Sequence, residues 1–118
     1  MYTTMATWCP TCKGELPQIA AIRNAFDARE LEMHGVPVDP TDDPAKLTSY
    51  IQEFQPAYDL LTDLSRGDVQ AVERVVEHTT QLEDALPATL ITDADGMVIY
   101  ANAGVPSISE LKRLLNGD

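Results

Sequence analysis

Basic side chains are scarce in this sequence: eight lysines and arginines stand against nineteen aspartates and glutamates, a formal net charge of −11. Such a surface repels phosphate backbones and anionic lipid headgroups, which argues against nucleic-acid binding and membrane-surface attachment. It suits solubility, and it would suit a basic partner. No apolar run approaches the roughly 18 residues that a membrane-crossing helix needs, so no membrane insertion is expected. The first residues carry neither the basic start nor the apolar stretch of a secretory leader, as would also hold for a mature form or an excised domain. Internal repeats and low-complexity tracts are missing too. Cysteine is limited to Cys9 and Cys12. A disulfide-built scaffold uses more cysteines across longer loops, so this close pair points to redox chemistry or to half of a metal site. At 118 residues and 44% hydrophobic, the chain is long and apolar enough to bury a core without cross-links. The expectation is one domain over residues 1–118, acting as a monomer.

What is present alternates between strand-like and helix-like segments, the pattern of an α/β fold. Tyr2 to Thr7 reads as a strand, followed by Trp8-Cys9-Pro10-Thr11-Cys12. A helix is predicted from Pro10 to Arg29, with Leu16, Ile19, Ala20, Ile22 and Phe26 at helical spacing and a kink at Pro17. Glu30 to Val38 reads as a second strand, and Asp39 to Pro44 as a loop rich in Pro and Asp. Asp42 or Asp43 is placed to cap a helix over Pro44 to Phe54, ended by Pro56. Ala57 to Thr62 reads as a short edge strand or an extended loop. A helix over Asp68 to Glu77 presents Val69, Val72, Val75 and Val76. Ala88 to Thr92 and Met97 to Ala101 form a hairpin around Asp93-Ala94-Asp95-Gly96. Ser107-Ile108-Ser109-Glu110 is a capping box opening a last helix, with Ile108, Leu111, Leu114 and Leu115 inward and Gly117 just past its end.

Thiol exchange needs a thiolate, and a free cysteine, with a pKa of about 8.5, is mostly protonated at neutral pH. A helix N-terminus favours the anion. Cys9 stands just ahead of the predicted helix, where free N–H groups reach its sulfur. Cys12 lies about one turn further in, close enough for the two sulfurs to meet. Cys9 is therefore the expected attacking thiol and Cys12 the resolving one. Pro10 and Thr11 between them tune the pair. Trp8 either packs beside the motif and shields it or is a core aromatic. Glu15 is placed to accept the Cys12 proton, although a solvated carboxylate at a helix start explains it as well. Lys13 is expected to be exposed. His34 and His78 are the histidines open to metal ligation; structural roles in a strand and at a helix end account for both. Leu86-Pro87 precedes a strand.

Ala6-Thr7-Trp8-Cys9-Pro10-Thr11-Cys12-Lys13-Gly14-Glu15-Leu16-Pro17 resembles the active-site stretch of the TlpA/ResA-like thioredoxin family. Leu86-Pro87-Ala88-Thr89 followed by Asp95-Gly96 resembles that family's cis-proline strand and hairpin, in the same order. The resemblance covers nearly the whole chain. It implies a thioredoxin fold, with a central mixed sheet flanked by helices and the CxxC at the N-terminus of the first helix. It further implies a nucleophilic Cys9, a resolving Cys12, a cis Pro87 beside them, and a functional Glu15. Trp8, Pro10, Thr11 and the Leu86 backbone are then the groups that meet substrate. The implied activity is thiol:disulfide exchange with protein thiols or disulfides, without a cofactor, in an extracytoplasmic setting such as cytochrome maturation. Two family features are missing: Thr3 stands where thioredoxin itself has a buried acid, and no N-terminal hairpin precedes the first strand, as in a trimmed domain.

The middle of the chain, Val38 to Pro44 and then Tyr50 to Asp59, looks like the Sco/SenC copper-chaperone branch of the same superfamily. That branch carries CxxxC and a distal histidine; here the spacing is CxxC and the histidine position falls near Ala85, leaving His78 as a substitute. A copper carrier using Cys9 and Cys12 is thus the alternative to the oxidoreductase. A peroxiredoxin-like peroxidase would need a different cysteine context. An interaction module with incidental cysteines fits poorly with a pair at a helix start.

Overall fold

The computed structural model describes residues 1–81 and 85–116. Within them, five strands form one mixed sheet: β1 (Tyr2–Met5), β2 (His34–Pro37), β3 (Asp59–Leu60), β4 (Ala88–Thr92) and β5 (Val98–Ala103), in the order β3-β2-β1-β4-β5. β1, β2 and β3 run parallel, while β4 is antiparallel to both β1 and β5. Among the described residues, five helices flank the sheet: α1 (Pro10–Gly14), α2 (Leu16–Ala25), α3 (Pro44–Phe54), α4 (Arg66–Thr80) and α5 (Ile108–Asn116).

β1 is the central strand, and Thr3, Thr4 and Met5 are all buried. A strand covered on both faces must satisfy any hydroxyl it buries. Thr4 does so by accepting the Ala88 N–H at 2.8 Å, and the Thr3 and Thr89 hydroxyls meet at 3.3 Å. Thr89 in turn donates to the Gly104 carbonyl at 2.7 Å. These bonds tie the start of β4 to β1. One apolar cluster joins Ile19, Ile22 and Phe26 to Ile91 and Leu111. A second gathers Met5, Ala6, Cys9, Cys12, Leu47 and Tyr50. Cys9 and Cys12 are thus seated in core packing at the carboxyl end of β1.

Local chemistry explains where the elements depart from the sequence reading. The single helix predicted from Pro10 to Arg29 is two helices, broken at Glu15 rather than kinked at Pro17. Pro17 has no N–H and crowds the carbonyl four residues back, so the break falls before it. Ala20, expected inward, is exposed. β2 starts at His34, not Glu30, because residues 27–30 form a turn. Asp27 accepts the Arg29 N–H there, and Arg23 donates to the Phe26 and Leu31 carbonyls. Asp43 is the cap of α3, accepting the Lys46 N–H at 2.9 Å. α4 begins two residues before Asp68, because Ser65 and Asp68 form a reciprocal capping box. It runs past Glu77 to Thr80 and stops at Gln81, whose φ is 57°. β5 runs on to Ala103, which pairs with Ala88, and the ladder's one irregularity lies at its other end, at Ile91/Thr92. The Ser107–Glu110 box opens α5 as expected; the proposed cap at Gly117 lies outside the described residues.

Candidate active site

Three short segments converge at the end of β1. The first is the loop Ala6–Thr7–Trp8, which delivers Cys9 to the start of α1. It is held by Asp42: the Thr7 N–H donates to Asp42 Oδ2 at 2.8 Å and the Thr7 hydroxyl to Oδ1 at 2.6 Å. Asp42 is therefore a buried clamp on this loop, not a helix cap. Cys9 is the N-cap of α1, with Pro10 in the first turn. The Cys12 N–H donates to Cys9 Sγ at 3.1 Å. A cap position with a donor aimed at sulfur favours the thiolate at Cys9 in the reduced state.

Cys9 and Cys12 are joined in a disulfide, with Cα atoms 5.3 Å apart. Both residues are buried, at 3% and 4% exposure, yet only Cys9 lines the neighbouring groove. Of the two sulfurs, Cys9 is therefore the one that borders the groove.

The second segment is Leu86–Pro87. Their peptide bond is cis, Pro87 is buried, and the Leu86 carbonyl oxygen lies 4.0 Å from Cys9 Sγ. The third is Val38–Asp39 after β2. Trp8 is 59% exposed, so it is not a core aromatic; its indole N–H donates to Asp39 Oδ2 at 2.6 Å and its ring lines the groove. The Asp39 carboxyl is held below the ordinary aspartate range by the Thr41 N–H, then the Thr41 hydroxyl and the Trp8 indole.

The groove these segments enclose has a volume of about 470 Å³. Cys9, Pro10, Thr11, Trp8 and Leu86 all line it, together with Thr4, Val38, Asp39 and Ala85. α4 supplies Glu73, Val76 and Glu77. Every residue expected to meet substrate is therefore gathered in one place. Glu15 is not among them: it sits at the α1/α2 junction, half-buried, and its N–H bonds to the Thr11 and Cys12 carbonyls. Lys13 is half-buried, its ammonium 5.2 Å from the Phe54 ring centre. His34 stacks on Tyr2 and pairs with Glu32. The Asp42 clamp, the Trp8–Asp39 bond and the α4 glutamates escaped the sequence reading. Each depends on a contact between segments far apart in the chain, and only the i, i+4 spacing of Glu73 and Glu77 is visible locally.

The model of the AhpC/TSA family matches residues 1–101. The chain belongs to the AhpC/TSA family. No curated protein matches it. Among solved structures, MTB dsbF is 24% identical with a TM-score of 0.68, covering 98% of this chain and 77% of that one. A thiol:disulfide interchange protein of the thioredoxin family from Chlorobium tepidum TLS is 19% identical with a TM-score of 0.69, covering 98% and 76%. A secreted Mycobacterium tuberculosis disulfide oxidoreductase, homologous to E. coli DsbE, is 18% identical with a TM-score of 0.62, covering 99% and 79%. These likenesses establish the thioredoxin fold that the CxxC stretch and the Leu86-Pro87 segment implied. The Sco-like reading of the middle segment finds no support in these matches. Its Asp39 and Asp42 serve Trp8 and Thr7 instead, and His78 does not line the groove. Among the described residues, no group of three or more His, Cys, Asp or Glu is placed to hold a metal ion.

Proposed function

We propose that this AhpC/TSA-family protein is a thiol:disulfide oxidoreductase acting on protein thiols or disulfides through Cys9 and Cys12. The observation that carries it is the sulfur of Cys9, lining an open groove, receiving the Cys12 N–H and lying beside the Leu86 carbonyl. In the reducing direction the Cys9 thiolate attacks one sulfur of a substrate disulfide. The substrate S–S bond breaks, a mixed disulfide forms, and the departing substrate thiolate takes a proton from solvent. The Cys12 thiolate then attacks Cys9 Sγ, frees the second substrate thiolate and closes the intramolecular disulfide. Two electrons pass to the substrate, and a dithiol donor returns them. Run backwards, the same steps oxidise a substrate dithiol.

Trp8, Pro10, Thr11 and Leu86 form the contact surface for the substrate chain, with Pro87 fixing where the Leu86 backbone is presented. Glu15 takes the Cys12 proton through water, since it lies one turn beyond Cys12 and outside the groove. The thioredoxin-fold neighbours include a secreted disulfide oxidoreductase, which supports an extracytoplasmic setting, with cytochrome maturation among the tasks the family resemblance implies. No described helix is long and apolar enough to cross a membrane.

The test uses two variants. Cys9→Ser abolishes reduction of a peptide disulfide, whereas Cys12→Ser accumulates a covalent enzyme–peptide disulfide detected by mass. Full activity in Cys9→Ser would overturn the assignment of the nucleophile.

A further inference from the structure

The groove beside Cys9 is acidic. Three of its lining residues, Asp39, Glu73 and Glu77, are carboxylates, and among the described residues no lysine or arginine lines it. Arg66, which donates to the Val38 carbonyl, lines a separate cavity. The three acids are not equivalent. Asp39 is already engaged by Trp8 and Thr41. Glu77 is exposed. Glu73 is half-buried, and its Oε1 is cut off from solvent without a hydrogen-bond partner. A carboxylate oxygen held away from water and unpaired carries a desolvation cost, and turning that carboxylate to meet a donor in the groove would remove it.

We infer that this groove selects substrates carrying an arginine or lysine close to the reacting cysteine, with Glu73 as the specificity-determining contact and Glu77 as its exposed partner. The inference rests on the oxidoreductase reading and names the substrate class for the same site. A guanidinium matches the chemistry best, because it can engage a carboxylate through two parallel N–H bonds. Val76, one turn after Glu73 and next to Glu77, lines the same groove and is the apolar surface on which the stem of such a side chain lies. Glu73 and Glu77, four residues apart on α4, face one another's field, so a cation between them relieves a like-charge repulsion as it binds. The net charge of −11 adds long-range attraction for the same substrates, but only the groove acids discriminate at contact.

Three matched peptides with an intramolecular disulfide, flanked by Arg, Ser or Glu, test this against the reduced protein in a rapid-mixing experiment. The Arg peptide oxidises the protein about tenfold faster than the Ser peptide, the Glu peptide is slower still, and added salt compresses the series. In the double variant Glu73→Gln/Glu77→Gln the Arg-to-Ser ratio falls to within about twofold. The control Glu30→Gln/Asp95→Asn removes the same charge at the opposite end of the sheet and keeps the full ratio. The single variant Glu77→Gln, at an exposed position, leaves the fold undisturbed and lowers the ratio partway. A ratio unchanged by the α4 substitutions, or lowered equally by the control, would overturn the inference while leaving the oxidoreductase reading intact. Failure of all three peptides to oxidise the protein would overturn both.

Discussion

At the scale of single residues, the site depends on carboxylates that hold its loops. Asp42 receives both the N–H and the hydroxyl of Thr7, so Asp42→Ala strips the partner from a half-buried backbone donor and from its hydroxyl. Hydrogen bonds to a charged group of this kind support a loss of about 2 kcal/mol, measured as a lower urea midpoint with an unchanged slope. Asp39 offers a pH signal, because Trp8 is the single tryptophan of the chain. Its carboxyl is depressed in the folded protein by Thr41 and Trp8. The depressed value means that its contribution is fully present above the unfolded aspartate value of about 3.9 and is lost as pH falls through the lower folded value. Trp8 fluorescence is therefore expected to titrate with a midpoint below about 3.9, and Asp39→Asn removes the step. Neither contact is legible in sequence. Cys9, Cys12, Pro10 and Thr11 were legible because their chemistry is local, a pair of thiols at a helix start. The partners of Thr7 and Trp8 lie 35 and 31 residues away, and nothing in either segment alone specifies them.

At the scale of elements, periodicity and turn chemistry carried the reading wherever the structure is locally determined. β4 matches its expected bounds because Ala88 to Thr92 is an apolar run closed by the Asp93–Gly96 turn, in which Asp93 accepts the Asp95 and Met97 N–H groups and Gly96 has φ 84°. α3 matches because Asp43 and Pro44 mark its start. β2 was overextended because the apolar content of Leu31 and Met33 serves the core without a strand partner to pair with: β1 begins at Tyr2, opposite His34. Packing of β2 yields a prediction of its own. A Cβ at Gly35 would stand 2.5 Å from the Tyr58 ring, so Gly35→Ala forces the ring or the strand to move. The expected cost is about 2 kcal/mol, read as a fall in Tm, and Tyr58→Leu in the same background recovers part of it by vacating the space.

At the scale of the whole molecule, two apolar clusters share one sheet, and the Cys9–Cys12 disulfide belongs to one of them. The tyrosines link the fold to alkaline pH. Burial pushes the Tyr58 phenol well up, and Tyr50 and Tyr100 are raised for the same first cause. A raised folded value gives stability that is fully present below the unfolded tyrosine value of about 10 and is lost as pH rises above it. In a Tyr2→Phe background, phenolate absorbance and loss of structure should then rise together above about pH 10; phenolates appearing in a folded protein would contradict that coupling. The mixed sheet, the helices on it and the placement of CxxC were readable from the alternation of segments and from the family resemblance. The acidic wall of the groove was not, since it arises only when α4 is set beside the end of β1.

The central claim, that Cys9 and Cys12 are one redox couple presented for exchange, is tested most directly by equilibrating the protein across glutathione redox buffers and counting its free thiols. The account predicts a single reversible two-electron transition in which both thiols appear and disappear together. Thiols that titrate independently, or that stay unchanged across the whole series, would contradict it.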